Sequence, residues 1–361
     1  MPSPYAGLPP TSFWRSGIAG AAEGQFPGIF KPRFDITRKT RIATAGSCFA
    51  QHVGRHLRSL GFRILDAEPA PPGLSDDEAK EFGFNLYSAR YGNIYTVRQL
   101  LQLVQEAFGL FTPADAIWQR DGRFFDALRP TVEPDGLATA EAVRAQRAQH
   151  LARVRSVLLE ADVLVFTLGL VEGWVHRPSG TVYPTAPGTV AESAAPQDIG
   201  LHCFDFVEVR DDLRAVHALL KQHNPKLRFL LTVSPVPLTA TALDDHVLVA
   251  TTYAKSTLRA VAGQIRQENA DFDYFPSFEI VAGHPSGGRF YKPNLREVTN
   301  QGVACVMSHF SAALGVTAAP AAPAEAPPPP PPALDAEEER EKIICDEMLL
   351  EAFAPPSAKG R

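Results

Sequence analysis

The stretch RIATAGSCFAQHVGRHL, residues 41–57, decides the fold. Its opening run is short and apolar, as a buried strand requires, and Gly46 ends it with a turn. Beyond the turn, apolar residues return at helical spacing. Three later segments have the same strand character: DVLVFTLG (162–169), LRFLLTVSP (227–235) and DYFPSFEIV (273–281). Residues 140–161, 212–223 and 246–267 lie between them, with helix-forming composition and apolar residues three or four apart. Strands alternating with helices predict an open parallel sheet with helices on both faces. Ligands of such a sheet bind at the carboxyl ends of the strands, where residues 46–48 fall.

That turn sets two nucleophile-grade side chains, Ser47 and Cys48, next to each other. A thiol at a helix amino terminus gains from the partial positive charge there, so Cys48 is expected to ionise below the reference value of about 8.5. The same three residues also suit a purely structural β–α junction, with Ser47 capping the helix and Cys48 filling core.

The chain has 361 residues, of which 45 % are hydrophobic, enough to bury a large core. A net charge of −5 gives no global reason to bind nucleic acid or an anionic membrane, which leaves small molecules or glycans as the expected partners. No segment approaches the roughly 20 apolar residues of a membrane span, and the amino terminus has no export-like run, so the expectation is a cytoplasmic protein. The four cysteines, Cys48, Cys203, Cys305 and Cys345, are far apart and read as free thiols, with no metal site indicated. Three regions are expected: an α/β domain over residues 1–316, an Ala/Pro-rich linker over 317–333, and an amphipathic helix with its tail over 334–361. That helix either covers its own domain or recruits a protein partner.

Six motifs occur in one order: TAGSCFAQHVGRHL, FNLYSARYGNIYTVRQLLQL, FTLGLVEGW, LLTVSPVPLTAT, YAKSTLRAVA and YFPSFEIV. Together they resemble the GSCFA family, which is similar to SGNH-type esterases and to acetyltransferases of bacterial polysaccharide assembly. The closing CDEMLLEAF also looks like the tail of relatives. The resemblance implies a three-layer α/β/α sandwich with a parallel sheet, SGNH-hydrolase-like, and a site for acyl-ester chemistry. The SGNH pattern laid on Gly46-Ser47-Cys48 puts the nucleophile on Cys48, with Ser47 beside it. Its oxyanion glycine corresponds to Gly169, but the asparagine expected nearby is replaced in Gly169-Leu170-Val171-Glu172. Asn85 and Asn93 are candidate donors in its place, or turn formers.

The Asp-x-x-His of SGNH sequences is also missing. Asn294 and Glu297 stand at its positions, and Glu297 is a base only if burial raises its pKa. His246, His284 and His52 are the substitute candidates, while His56 is expected to pack with its helix. An ion pair between Lys255 and Glu279 is expected, either positioning the site or, as the more ordinary use of such a pair, serving structure alone. No glycine-rich phosphate loop is present, and no cofactor is required, with acyl-CoA the donor that suits a cytoplasmic enzyme. The resulting expectation is an O-acyltransferase or esterase acting on a glycan or related hydroxyl compound. The alternative is a catalytically degenerate binding protein or scaffold.

Overall fold

The computed structural model describes residues 3–22, 24–316 and 345–354. In chain order its strands are β1 (Arg41–Gly46), β2 (Arg63–Ile64), β3 (Ile117–Arg120), β4 (Arg123–Asp126), β5 (Val163–Leu168), β6 (Glu172–His176), β7 (Val182–Tyr183), β8 (Ile199–Cys203), β9 (Arg228–Val233) and β10 (Phe272–Tyr274). The α-helices are α1 (Phe49–Ser59), α2 (Asp76–Glu81), α3 (Val97–Ala107), α4 (Ala140–Glu160), α5 (Phe206–His223), α6 (Val247–Glu268), α7 (Ser277–Ala282) and α8 (Asn300–Ala313).

The central sheet has the order β10-β9-β5-β1-β2, and every pairing in it is parallel. Side chains alternate across a strand, so each strand feeds two cores. Ala43, Ala45, Leu164, Phe166, Leu168, Phe229 and Leu231 face one core, shared with apolar residues of α3, α4, α5 and α6. Ile42, Val163, Val165 and Leu230 face the other, shared with α1, α7 and α8. The protein is therefore the expected three-layer α/β/α sandwich. A β3–β4 hairpin and a small antiparallel sheet, β7-β6-β8, lie outside the central sheet and pack on each other around Trp118, Phe125 and Tyr183.

One strand expectation is corrected. Residues 273–281 were expected to be a single strand, but β10 stops at Tyr274 and α7 begins at Ser277. Pro276 intervenes: without an N–H it cannot continue a ladder, and its fixed φ suits a helix start. The expected linker, residues 317–333, lies outside the described residues, as does most of the helix expected beyond it. The described part, Asp346–Phe353, is a 3₁₀ helix and not an α-helix. It belongs to the same body as the sheet, since Cys345 and Asp346 are buried.

Candidate active site

The turn after β1 is tight because two strands meet there. Gly46 has φ 131°, and a Cβ in its place would run into the backbone of Thr167 on β5. The Ser47 N–H donates to the Thr167 carbonyl at 3.1 Å, extending the ladder by one rung before the chain turns into α1. Cys48 is the N-cap residue of α1 and is 4 % exposed. Ser47 does not cap the helix: its buried hydroxyl has no hydrogen-bond partner among the described residues. Gly169 packs over it, close enough that a Cβ there would lie 2.7 Å from the Ser47 Cβ.

What faces Cys48 is the far end of the chain. The Cys48 thiol is hydrogen-bonded to Cys345. Cys345 Sγ also lies 3.7 Å from the Tyr95 hydroxyl and accepts from Arg296 Nη2 at 3.9 Å. The next two residues anchor the tail by their carboxylates. Asp346 accepts from the Thr131 hydroxyl at 2.6 Å and is hydrogen-bonded to the Asn93 side chain. Glu347 pairs with Arg296 at 3.2 Å, side chains 11 % and 12 % exposed, and accepts from the Thr239 backbone N–H. The Glu347 N–H in turn donates to the Tyr95 hydroxyl at 3.3 Å.

These contacts reverse the expected chemistry of the thiol. The hydrogen bond to Cys345, burial, and the nearby charges of Cys345 and Glu347 push the Cys48 pKa up, with only Arg296 opposing among its main influences. Cys345 is held below its ordinary value, chiefly by the hydrogen bond from Cys48. Of the two thiols, Cys345, beside the guanidinium, is therefore the one that gives up its proton more readily. An easily ionised Cys48 is thus not a property of the tail-docked form, because the tail cancels the advantage of the helix terminus.

Lys255 on α6 supplies a second cation. It is 3 % exposed, donates to the Gly169 carbonyl at 2.8 Å, and is lowered to about 8 by burial, against the opposing pull of Glu347 and Cys48. The expected pairing with Glu279 is corrected: Glu279 binds Arg259 and the Tyr274 hydroxyl.

The other candidates divide. Asn93 is brought to the site, buried, with its Oδ1 accepting from the Tyr87 hydroxyl at 2.6 Å. Asn85 is exposed and serves a turn, with φ 60°. The Gly169 N–H is committed to the Tyr95 carbonyl at 3.2 Å. His246 is exposed and caps α6, its Nδ1 accepting from the Leu248 N–H. His284 is exposed and stacks on Trp14. His52 is buried beside Phe49, and burial lowers it to about 3, so it stays neutral. His56 does not merely pack: its Nε2 is 2.9 Å from the Ser311 hydroxyl. Asn294 donates to Glu297 at 2.7 Å, and Glu297 also pairs with Lys292. The residue between them that reaches the site is Arg296.

The chain belongs to the GSCFA family. The family match spans residues 41–310, so it includes Cys48, Lys255 and Arg296 but not the tail. No curated protein matches the chain. Among solved structures, a putative GDSL-like lipase from Parabacteroides merdae ATCC 43184 is 13 % identical over 79 % of this chain and 100 % of its own, with a TM-score of 0.34. A carbohydrate esterase family 2 enzyme plus carbohydrate-binding domain, from Corynascus thermopiles (Myceliophthora fergusii), is 12 % identical over 81 % of this chain and 71 % of its own, with a TM-score of 0.27. Among the described residues no helix is long and apolar enough to cross a membrane, and no cluster of three or more His, Cys, Asp or Glu could hold a metal.

Proposed function

We propose that this GSCFA protein performs acyl transfer or ester hydrolysis, carrying the acyl group on Cys48 and passing it to water or to a hydroxyl of a glycan or related compound. The observation that carries the reading is the placement of Cys48 at the carboxyl end of β1, on a helix amino terminus, with Arg296 and Lys255 both within electrostatic reach. With the tail displaced, the Cys48 hydrogen bond to Cys345 and the charge of Glu347 are removed while the two cations remain. Cys48 then loses its proton to solvent more readily, and the thiolate attacks the acyl carbonyl of an activated ester or of a thioester such as acyl-CoA. The tetrahedral oxyanion is held by amides at the start of α1 and by the Asn93 side chain, which the departing Asp346 releases. Collapse expels the alkoxide or thiolate leaving group, which takes up a proton. Water or a sugar hydroxyl then attacks the Cys48 thioester and returns the thiol.

A ligand-binding protein without turnover is the second reading. It is favoured by the exposed, separately engaged positions of His246 and His284. The test is intact-mass analysis after incubation with acetyl-CoA or an aryl acetate, followed by peptide mapping. An acetyl adduct on Cys48, absent from Cys48→Ala, is expected. Wild-type protein that forms no adduct and releases no aryl alcohol faster than Cys48→Ala refutes the catalytic reading.

A further inference from the structure

Cys345 has no role in the acyl chemistry above, yet it is the side chain hydrogen-bonded to the proposed nucleophile. We infer that Cys48 and Cys345 form an oxidisable thiol pair, converted by a peroxide-class oxidant into a disulfide that fixes the tail over the site.

Three observations carry this. The first is proximity: two free, buried thiols, 297 positions apart in sequence (345 minus 48), face each other in the site, where the Tyr95 hydroxyl at 3.7 Å and Arg296 Nη2 at 3.9 Å fix the Cys345 Sγ. The second is polarity. Arg296 Nη2 and the Tyr95 hydroxyl both lie against Cys345 Sγ, so the pair has one sulfur suited to carry charge and one that retains a proton. Peroxide reacts with thiolates, and a sulfenic acid condenses with a neighbouring thiol. The third is anchoring. Asp346 and Glu347 pin the residues directly after Cys345 by contacts on Thr131, Asn93 and Arg296, which hold the two sulfurs together through the reaction. Cys203 and Cys305, the other two cysteines, have no such arrangement: Cys305 donates to the Gly24 carbonyl, and both are held above their ordinary pKa by burial.

The chemistry balances in two steps. The Cys345 thiolate attacks one peroxide oxygen, the O–O bond breaks, and hydroxide leaves, giving Cys345 sulfenic acid. The Cys48 sulfur then attacks the sulfenyl sulfur, the S–O bond breaks, and the departing hydroxide takes the Cys48 proton as water. Overall, two thiols and one hydrogen peroxide give one disulfide and two waters. A dithiol reductant reverses the modification by exchange. The consequence for catalysis rests on the proposed function, since a Cys48 held in a disulfide cannot attack an acyl group.

The experiment treats the full chain with hydrogen peroxide near stoichiometry, quenches, alkylates under denaturing conditions, and maps the peptides. The expected result is a dithiothreitol-sensitive cross-link between the Cys48 and Cys345 peptides, with Cys203 and Cys305 alkylated. In Cys345→Ser the cross-link is lost, and Cys48 accumulates oxidation that dithiothreitol does not fully reverse. If Cys48 and Cys345 both remain alkylated after treatment, or cross-links join other cysteines at comparable yield, the inference is overturned. A Cys48–Cys345 cross-link that leaves ester turnover intact supports the thiol pair and instead refutes Cys48 as the nucleophile.

Discussion

Replacing Asp346 by alanine should open the site without touching its chemistry, because Asp346 holds the tail through Thr131 and Asn93 and is not among the main groups that set the Cys48 pKa. A hydrogen bond to a charged group contributes about 1.5–3 kcal/mol. Two such bonds are lost, but burial alone pushes the Asp346 pKa up, so the carboxylate's desolvation offsets part of them. A net loss of about 2 kcal/mol of docking free energy follows from those terms. At 1.4 kcal/mol per factor of ten, the open fraction then rises roughly 30-fold. Alkylation of Cys48 by iodoacetamide reads this directly. When opening and closing are fast relative to labelling, the rate is proportional to the opening constant, so Asp346→Ala should label Cys48 about 30 times faster at one pH. The thermal midpoint measured beside it distinguishes tail release from global destabilisation. An unchanged labelling rate would refute the idea that the Asp346 contacts hold the tail over Cys48. A faster rate that merely tracks a lowered midpoint would show that tail and sheet open as one unit.

Three further outcomes follow from burial and charge. Lys255 titrates at about 8 in the folded protein against an ordinary 10.5, so the unfolded chain binds the extra proton between those values; stability should rise with pH across that window, and Lys255→Met should lose the slope in chemical denaturation. Asp126, held down to about 2 by Arg147 and Arg129 despite its burial, contributes stability that is present above its ordinary 3.8 and is lost as pH falls towards 2. Asp126→Ala leaves buried Arg129 without a carboxylate partner, while Arg147 keeps its pair with Glu106, and should cost about 3–5 kcal/mol near neutral pH by urea titration. Gly169→Ala forces a methyl against the Ser47 Cβ at 2.7 Å and the Tyr95 carbonyl at 3.1 Å, so it should destabilise by about 1–3 kcal/mol in the same titration and slow acylation of Cys48.

The fold was readable where one strand buries both faces. β1 matches its expected range of 41–46, and β5 and β9 fall within theirs, because continuous apolar runs between turn residues have few other uses. Legibility failed where punctuation was overlooked: Pro276 splits YFPSFEIV into a strand and a helix, and the run's apolar character masked the break. The site was legible at Cys48, whose strand-to-helix turn has a local signature. At Lys255 the residue was legible but its partner was not: it lies on the buried face of α6 and donates to the Gly169 carbonyl, which no spacing in the sequence announces, instead of pairing with Glu279. Arg296 lies between the two residues that stand at the Asp-x-x-His positions, and no motif marks it as the one that reaches Cys345 and Glu347. Cys345 could not be placed at all, since long sequence separation says nothing about distance once a chain folds back. The signal available was the tail's composition, a cysteine followed by two acids, opposite a domain offering an arginine and a buried lysine.

The docked tail also changes what a measured affinity would mean. Any ligand that needs Cys48 uncovered must compete with an occupant joined to the same molecule, which dilution cannot remove. Its apparent dissociation constant is the intrinsic one divided by the fraction of molecules with the tail away. Were that fraction one in a hundred, an acyl donor with micromolar intrinsic affinity would titrate at about a hundredfold higher concentration, and a screen run at low ligand would record no binding. Saturating concentrations, or a partner that draws the tail off its carboxylate anchors, would reveal the same ligand as a tight one.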